Sequence, residues 1–301
     1  MHADAVPIDL ARARRLIEDQ FPEFSGLPLT PLEAGTDHAI FRIGETAAAR
    51  FPRRAADPDV LHQKLEQEAA ALAELAAYAP VPTPEPLGLG RPGADYPLPW
   101  SVQTFLPGET ATPTGLAHSE AFAGDLARLI ATLRNVDTAG RSFDGVNRGG
   151  RLTDHDGWVA TCLANSEGLL DVTRLRALWE GLRTLPAVGP DVMSHRDLIP
   201  ANLLVREDRL AGLLDGGAFG PADRSLDLVA GWHLLDAPRR AQFRQALAPP
   251  ETEWLRGAAW AFEQAIGLVW YYEKSHPGMH ALGRSTLARL LDDPEISSYG
   301  R

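Results

Sequence analysis

Apolar residues follow two patterns over the first hundred residues, a helical spacing and short strand-like runs. Apolar residues recur three or four positions apart over 9–21, where Asp9 is a suitable N-cap, and again over 62–77. This spacing predicts a helix in each segment. Between the two helices, shorter apolar runs predict a set of strands: 29–32, 38–43 and 46–51.

The pattern changes after residue 78. Proline and glycine crowd the segment 79–99, which predicts an extended meander rather than a helix, and the apolar run 100–106 predicts one more strand. Beyond Pro107 the spacing is mainly helical, beginning with a helix that Ser119 caps. Strands first and helices afterwards predict an α+β chain. The predicted helices of the second part are 119–136, 155–166, 173–185, 225–235, 238–247, 251–275 and 279–291.

One predicted strand pair inside the helical part carries the candidate chemistry. Apolar runs flank the polar turn 206–209 and predict a β-hairpin, with Asp197 at its entrance, Asn202 at the start of its first strand and Asp215 at the end of its second. Transfer of a nucleotide γ-phosphoryl group requires a carboxylate that accepts the hydroxyl proton and oxygen ligands that hold Mg²⁺. The run His195-Arg196-Asp197-Leu198, followed by Asn202, fits the H-R-D-L-x-x-x-N catalytic loop of protein kinases. The alternative is that these carboxylates only cap turns.

With this loop, the segment 215–228 carries a wider resemblance. It contains Asp215, a glycine-rich loop, a second Asp and an Asp-Leu pair at the start of a predicted helix. The chain thereby resembles the aminoglycoside phosphotransferase (APH) family of small-molecule kinases. The resemblance implies a bilobal protein-kinase-like fold, with a small β-rich lobe with one main helix in residues 1–106 and a larger, mainly helical lobe in 107–301.

The resemblance also implies roles for individual residues. Asp197 would be the catalytic base, Asn202 and Asp215 the Mg²⁺ ligands, and His195 and Asp227 the supports of the catalytic loop. For Asp227, a simple favourable carboxylate at a helix N-terminus is an equal alternative.

In the first lobe, the resemblance implies a nucleotide-binding group. Arg50 occupies the position of the kinase Lys that pairs with the nucleotide phosphates, and the helix 62–77 would supply its carboxylate partner. Glu66 and Glu68 are both candidates, and the family pattern favours Glu68. The turn 33–37, which contains Gly35, would cover the phosphates with backbone N–H groups. The alternatives are solvated surface charges for Arg50 and Glu68 and a plain hairpin turn for 33–37.

Two departures from the kinase pattern narrow the expectation. Gly216 follows the metal-binding Asp, where protein kinases have Phe and the family usually has Trp. No long activation loop follows, since the next predicted helix begins at Ser225, and this favours a small-molecule kinase over a protein kinase. Gly216 and Arg50 also leave open a catalytically inactive nucleotide-binding protein.

Composition excludes some partners. The 301-residue chain has a formal net charge of −11 and a pI near 5.3, which disfavours nucleic acids and anionic membranes because both attract clustered Lys and Arg. We find no signal peptide and no apolar run of the roughly 18 residues that a membrane span needs. Cys162 is the one cysteine, which is typical of a reducing compartment, so we expect a cytoplasmic protein.

The expected function is transfer of a phosphoryl group from ATP or GTP, with Mg²⁺, to a hydroxyl of a small molecule. An aminoglycoside-type antibiotic is one acceptor, and a metabolic acceptor such as a sugar, choline or homoserine is the alternative. Aromatic residues are concentrated in 254–276 together with Glu263 and Glu273. They would line an acceptor cleft or, as we favour for most of them, belong to the core.

Overall fold

The computed structural model describes residues 6–32, 38–146 and 148–300. Contacts divide the chain into two units, each with its own core. The first unit contains Met1–Ala77, Pro82–Pro107 and the short segment Asp215–Ala218. The second unit contains the remaining segments, Tyr78–Val81, Gly108–Leu214 and Phe219–Arg301. The assignment of Asp215 to the first unit matters below, because it places a predicted metal ligand with the predicted nucleotide-binding residues.

An antiparallel sheet of five strands organises the first unit, in the order β1-β2-β3-β5-β4. The register sets Arg50 of the central strand opposite Ile40 on one side and Ser101 on the other. Asp9 caps the first helix as predicted, since its carboxylate accepts a hydrogen bond from Arg12 N at 2.7 Å. The elements are α1 Leu10–Gln20, β1 Leu29–Pro31, β2 His38–Ile43, β3 Ala47–Pro52, α2 Pro58–Tyr78, β4 Pro86–Gly90 and β5 Trp100–Thr104.

Aromatic side chains form the core of the first unit. The rings of Phe51 and Trp100 stack with centroids 4.6 Å apart, and Tyr96 meets Phe51 edge-on. The buried hydroxyl of Tyr96 donates a hydrogen bond to the carbonyl of Pro52. Since Phe51 is the residue after Arg50, this packing holds the strand that carries the predicted nucleotide-binding cation.

Helices dominate the second unit, together with two small sheets, β10-β7 and β6-β8-β9. The predicted cap is present, because the hydroxyl of Ser119 accepts a hydrogen bond from Phe122 N at 3.1 Å. The elements are β6 Glu109–Thr110, α3 Glu120–Arg134, α4 Asp156–Asn165, α5 Val172–Leu182, β7 Val192–Ser194, β8 Leu203–Arg206, β9 Arg209–Leu213, β10 Gly220–Ala222, α6 Ala230–Leu234, α7 Ala237–Leu247, α8 Glu251–Tyr271, α9 Pro277–Asp292 and α10 Pro294–Ser297.

The helix α8 is the centre of the second core. Trp254, Trp260 and Phe262 are at most 2% exposed and belong to the core, whereas Trp270 and Tyr272 are only partly buried. The ring of Trp254 lies 4.4 Å from that of Trp232. Tyr271, at the end of the helix, is 40% exposed. In the part of the chain that the structure describes, no helix is long and apolar enough to cross a membrane.

Several elements differ from the prediction. The predicted meander 79–99 contains β4, which begins at Pro86 and lies at the edge of its sheet, where a strand tolerates proline. The predicted helix 225–235 is divided into a 3₁₀ turn, Leu226–Val229, and the short α6. The glycine-rich loop contains β10, which pairs with the strand before the catalytic loop. Pairing between segments far apart in sequence leaves little trace in local spacing.

Candidate active site

The loop between β7 and β8 is held by the carboxylate of Asp227. This residue is 3% exposed, and its two oxygens accept hydrogen bonds from the backbone N–H groups of His195 at 2.8 Å and Arg196 at 3.1 Å. Arg196 has a φ of 70°, in the left-handed region that is costly for a side chain of this size. Charge-assisted hydrogen bonds offset that cost. The carboxylate of Asp227 thus points into the loop rather than serving only the end of its own helical turn.

His195 connects this loop to the segment that precedes Asp215. Its ring is fully buried, and Nε2 lies 2.9 Å from the carbonyl oxygen of Leu214. A carbonyl only accepts, so Nε2 is the donor in this hydrogen bond. The N–H of Leu214 donates to the carbonyl of Asn202 at 2.8 Å. Both backbone groups of the residue before Asp215 are therefore held by the catalytic loop.

Asp197 and Asn202 are in direct contact. The side-chain nitrogen Nδ2 of Asn202 donates to the backbone carbonyl of Asp197 and to its Oδ2, each at 2.9 Å. The two bonds fix the direction of the carboxylate and leave the other amide atom of Asn202, Oδ1, as an oxygen ligand. The 3₁₀ turn Pro200–Asn202 makes the approach possible, because it folds the five-residue spacing back on itself.

A counter-ion for Arg196 was not predicted from the sequence. The guanidinium is 7% exposed, pairs with the carboxylate of Asp144 at 3.1 Å and donates to the carbonyl of Pro221 at 2.6 Å. It also lies 5.3 Å from the ring centroid of Phe143. An exposed Asp after a Phe is the only local signal, and it is too common to have singled this pair out.

In the first unit, Arg50 meets Asp215 rather than Glu68. Its Nη2 donates to Oδ1 of Asp215 at 3.0 Å, and Nη1 approaches Oε1 of Gln103 at 3.5 Å. Arg50 and Glu68 both lie among the described residues, and they form no ion pair with each other there. Glu68 instead pairs with Lys64 at 3.5 Å. The predicted cation and the predicted carboxylate of the nucleotide site are thus neighbours without being partners.

Glu68 nevertheless lies in the field of these groups. Burial raises the pKa of its carboxyl above the usual range, while the charges of Lys64 and Arg50 oppose that rise. Its stem also packs against the segment after Asp215, because a Cβ added at Gly217 would meet Cβ of Glu68 at 3.2 Å. Gly35, the remaining predicted nucleotide-binding residue, lies outside the described residues.

The glycine after Asp215 has a packing reason. A Cβ at Gly216 would lie 2.3 Å from Cδ2 of Leu75 and 3.1 Å from Cδ1 of Leu72. Both leucines belong to α2 and are buried, at 0% and 6% exposure. Leucine side chains of α2 fill the space that a large aromatic side chain at position 216 would need. Glycine at this position is therefore matched to the packing of α2.

Oxygen ligands for a divalent cation are present in both units. Asn202 offers Oδ1, and Asp215 has a half-exposed side chain and a φ of 57°, which Asp tolerates better than most residues. Among the described residues no group of three His, Cys, Asp or Glu side chains is suited to a metal ion. Mg²⁺ uses one or two protein oxygens together with water and substrate phosphates, and each of these two side chains offers such an oxygen.

Comparison with models of protein families shows which family contains this chain. The model of the phosphotransferase enzyme family (APH) matches residues 28–260, which is most of the chain. The chain belongs to this family. The phosphotransferase match includes Arg50, Glu68, the catalytic loop and Asp227, and it confirms the resemblance derived from the sequence.

Relatives and solved structures agree with the family. An aminoglycoside 3'-phosphotransferase of Escherichia coli is 27% identical over 143 residues, which are 45% of this chain and 52% of that protein. The chain spans about half or less of the length of the curated relatives it matches.

The macrolide 2'-phosphotransferase MphH of Brachybacterium faecium is similar in fold, with a TM-score of 0.61 and 22% identity over 93% of this chain and 98% of that one. The GDP complex of aminoglycoside 2'-phosphotransferase-IIIa has a TM-score of 0.68 and 16% identity, over 97% and 99%. The predicted α+β, protein-kinase-like fold is confirmed.

Proposed function

We propose that this phosphotransferase-family chain transfers the γ-phosphoryl group of ATP or GTP to a hydroxyl group of a small molecule. The observation that carries the proposal is the double hydrogen bond from Asn202 to Asp197, which presents a fixed carboxylate and an amide oxygen from one loop. A degenerate site has no reason to retain this pair together with the support from Asp227.

In the proposed reaction Asp197 orients the acceptor hydroxyl and takes its proton as the oxygen attacks the γ-phosphorus. The bond from the γ-phosphorus to the bridging oxygen breaks, and the nucleoside diphosphate leaves with that oxygen. Bound Mg²⁺ supplies positive charge against the phosphates. Asn202 and Asp215 would hold the ion, and Arg50 would exchange its contact with Asp215 for the phosphates, with Glu68 close by.

The nucleotide part of the proposal has support in the family. Similar structures are described as complexes with GDP, with ADP, and with streptomycin and ATP. We extend nucleoside triphosphate binding to this chain on that basis, and we place the reaction in the cytoplasm, where these nucleotides and Mg²⁺ are abundant. Arg binds phosphate bidentately but is larger than Lys, so Arg50 suits a wide phosphate-binding site rather than a narrow one.

The test is Mg²⁺-dependent release of ADP or GDP by the purified protein, with acceptors of several chemical classes. We expect release that an acceptor stimulates, that Asp197→Asn abolishes, and that is unchanged in Asp208→Asn, an exposed carboxamide control in the hairpin turn. Calorimetry should show that Asp215→Asn weakens binding of the Mg²⁺–nucleotide while Asp197→Asn does not. Absence of nucleotide binding in the wild-type protein would refute the proposal.

A further inference from the structure

A second charged cluster lies in the same unit as the catalytic loop. Nε of Arg148 donates to Oε2 of Glu263 at 2.6 Å, and Oε1 of that carboxylate lies 3.1 Å from Nδ1 of His155. Glu263, on α8, is 2% exposed. Each of its oxygens has a partner, so the carboxylate serves to hold Arg148 and is not available to a ligand.

The backbone beside Arg148 is also fixed. The carbonyl of Gly149 accepts a hydrogen bond from Asp223 N at 2.7 Å. Gly149 has a φ of 134°, and a Cβ there would lie 2.7 Å from Cβ of Ala222 and 3.0 Å from the ring of Phe143. Ala222 is in β10, which pairs with β7, the strand that leads into the catalytic loop. The backbone next to Arg148 is thus packed against β10, which pairs with the strand that leads into the catalytic loop.

Two nitrogens of this guanidinium have no hydrogen-bond acceptor in the described part of the chain. Among the residues that the structure describes, Nη1 and Nη2 donate no hydrogen bond, and neither is a buried atom without a partner. The side chain is 32% exposed. Burial alone would lower its pKa, but the negative charges of Glu263 and Asp197 outweigh burial and raise the pKa above its usual range. Geometry also places this cation near the candidate base: a Cβ added at the adjoining Gly149 would lie 3.0 Å from the ring of Phe143, and that ring lies 5.3 Å from the guanidinium of Arg196, the residue before Asp197.

We propose that Arg148 forms an anion-binding subsite beside Asp197, and that the acceptor carries a carboxylate or phosphate group near the hydroxyl that receives the phosphoryl group. This proposal rests on the function proposed above and names the acceptor class. The guanidinium fork matches either anion in a bidentate manner. A polycationic acceptor would instead meet a like charge whose own counter-ion is already shared with His155.

The test compares matched acceptors and matched variants. Glycerol 3-phosphate and gluconate supply the two anions, glycerol and glucose are their neutral counterparts, and kanamycin is the polycation. We expect an anionic compound to stimulate ADP release. In Arg148→Gln its KM should rise roughly 10- to 100-fold, the effect of losing a hydrogen bond to a charged group. Arg151→Gln is the control, because Arg151 is exposed and pairs with Asp154 in the same segment.

The variant Arg148→Lys separates binding from folding. It keeps a positive charge beside Glu263 but loses the planar fork, so it should fold normally and show an intermediate KM. The relative responses to the phosphate and carboxylate compounds identify which anion the subsite takes. An equal KM for the anionic acceptor in the wild type and in folded Arg148→Gln, or stimulation by kanamycin alone, would overturn the proposal.

A binding measurement decides the matter if no compound of the set is phosphorylated. Sulfate is titrated by calorimetry into protein saturated with Mg²⁺ and a non-hydrolysable ATP analogue, so that the phosphate-binding groups of the nucleotide site are occupied. We expect sulfate to bind the wild type and Arg151→Gln at least tenfold more tightly than Arg148→Gln. Equal affinity or no binding would refute the subsite while leaving the nucleotide function intact. Failure to bind the ATP analogue would refute the function itself.

Discussion

The close packing around Gly216 leads to a quantitative prediction for the free energy of unfolding. Gly216→Ala adds one methyl group 2.3 Å from Cδ2 of Leu75, a separation that no folded core accepts. Leu75 is fully buried and Leu72 lies behind it, so either α2 or the segment after Asp215 must shift. Gly216 has no positive φ, which means that the cost comes from packing and not from the backbone.

Overpacking of this kind costs about 1–3 kcal/mol, and the reduced freedom of the unfolded chain returns about 0.4–1 kcal/mol. We therefore expect Gly216→Ala to lower the free energy of unfolding by about 1–2 kcal/mol. Leu75→Ala alone should lower it by about 2–5 kcal/mol. In the double variant the new methyl group enters the space left by Leu75, so the added cost of Gly216→Ala should fall to about zero.

Urea denaturation followed by circular dichroism measures all three variants, and calorimetry measures Mg²⁺–ATP binding. Gly216→Ala should also weaken that binding, because the displaced backbone adjoins Asp215. Gly124→Ala is the control: Gly124 lies on the exposed face of α3 with nothing within 4 Å of an added Cβ, and it should gain about 0.5–1 kcal/mol. Strictly additive losses in the double variant would refute the packing argument.

Three further predictions concern the second unit. Burial lowers the pKa of His233 to about 4, so this residue favours folding above pH 6.5 and loses that contribution as the pH falls towards 4. Between pH 7 and pH 5 the unfolding free energy of the wild type, measured in urea titrations, should fall by about 2 kcal/mol more than that of His233→Gln. Asp144→Asn removes the counter-ion of Arg196 and should lower kcat roughly five- to tenfold, with nucleotide affinity unchanged and partial rescue by Asp144→Glu in steady-state assays. Asp227→Asn should cost about 1.5–3 kcal/mol of stability in urea and reduce kcat, because the amide offers one neutral oxygen to two backbone N–H donors and places its own N–H group against one of them; a fully active, equally stable variant would show that these bonds are dispensable.

Local patterns explain which parts of this molecule were predictable. The hairpin around residues 206–209, the caps Asp9 and Ser119, and the strand that carries Arg50 all depend on neighbours within a few residues. Their apolar spacing therefore contained the information. Asp197 and Asn202 are only five residues apart, so the motif indicated that they lie close along the chain, but it did not predict their direct hydrogen bond.

Long-range electrostatic pairs were not predictable in the same way. Arg196 and Asp144 are 52 positions apart, and Arg148 and Glu263 are 115 positions apart. Neither pair belongs to a motif, because each depends on how residues 143–146 and 148–150 pack against distant parts of the chain. The contact of Arg50 with Asp215 in place of Glu68 likewise depends on the three-dimensional position of a segment that is far away in sequence.

The most direct test of the account follows the phosphoryl group itself. The purified protein is incubated with Mg²⁺, ATP labelled in its γ-phosphate and the acceptor that best stimulates ADP release, and the isolated acceptor is counted for label. We predict transfer by the wild type and by Asp208→Asn, and none by Asp197→Asn, which should still bind Mg²⁺–ATP with unchanged affinity. Equal transfer by Asp197→Asn would contradict the assignment of Asp197 as the base.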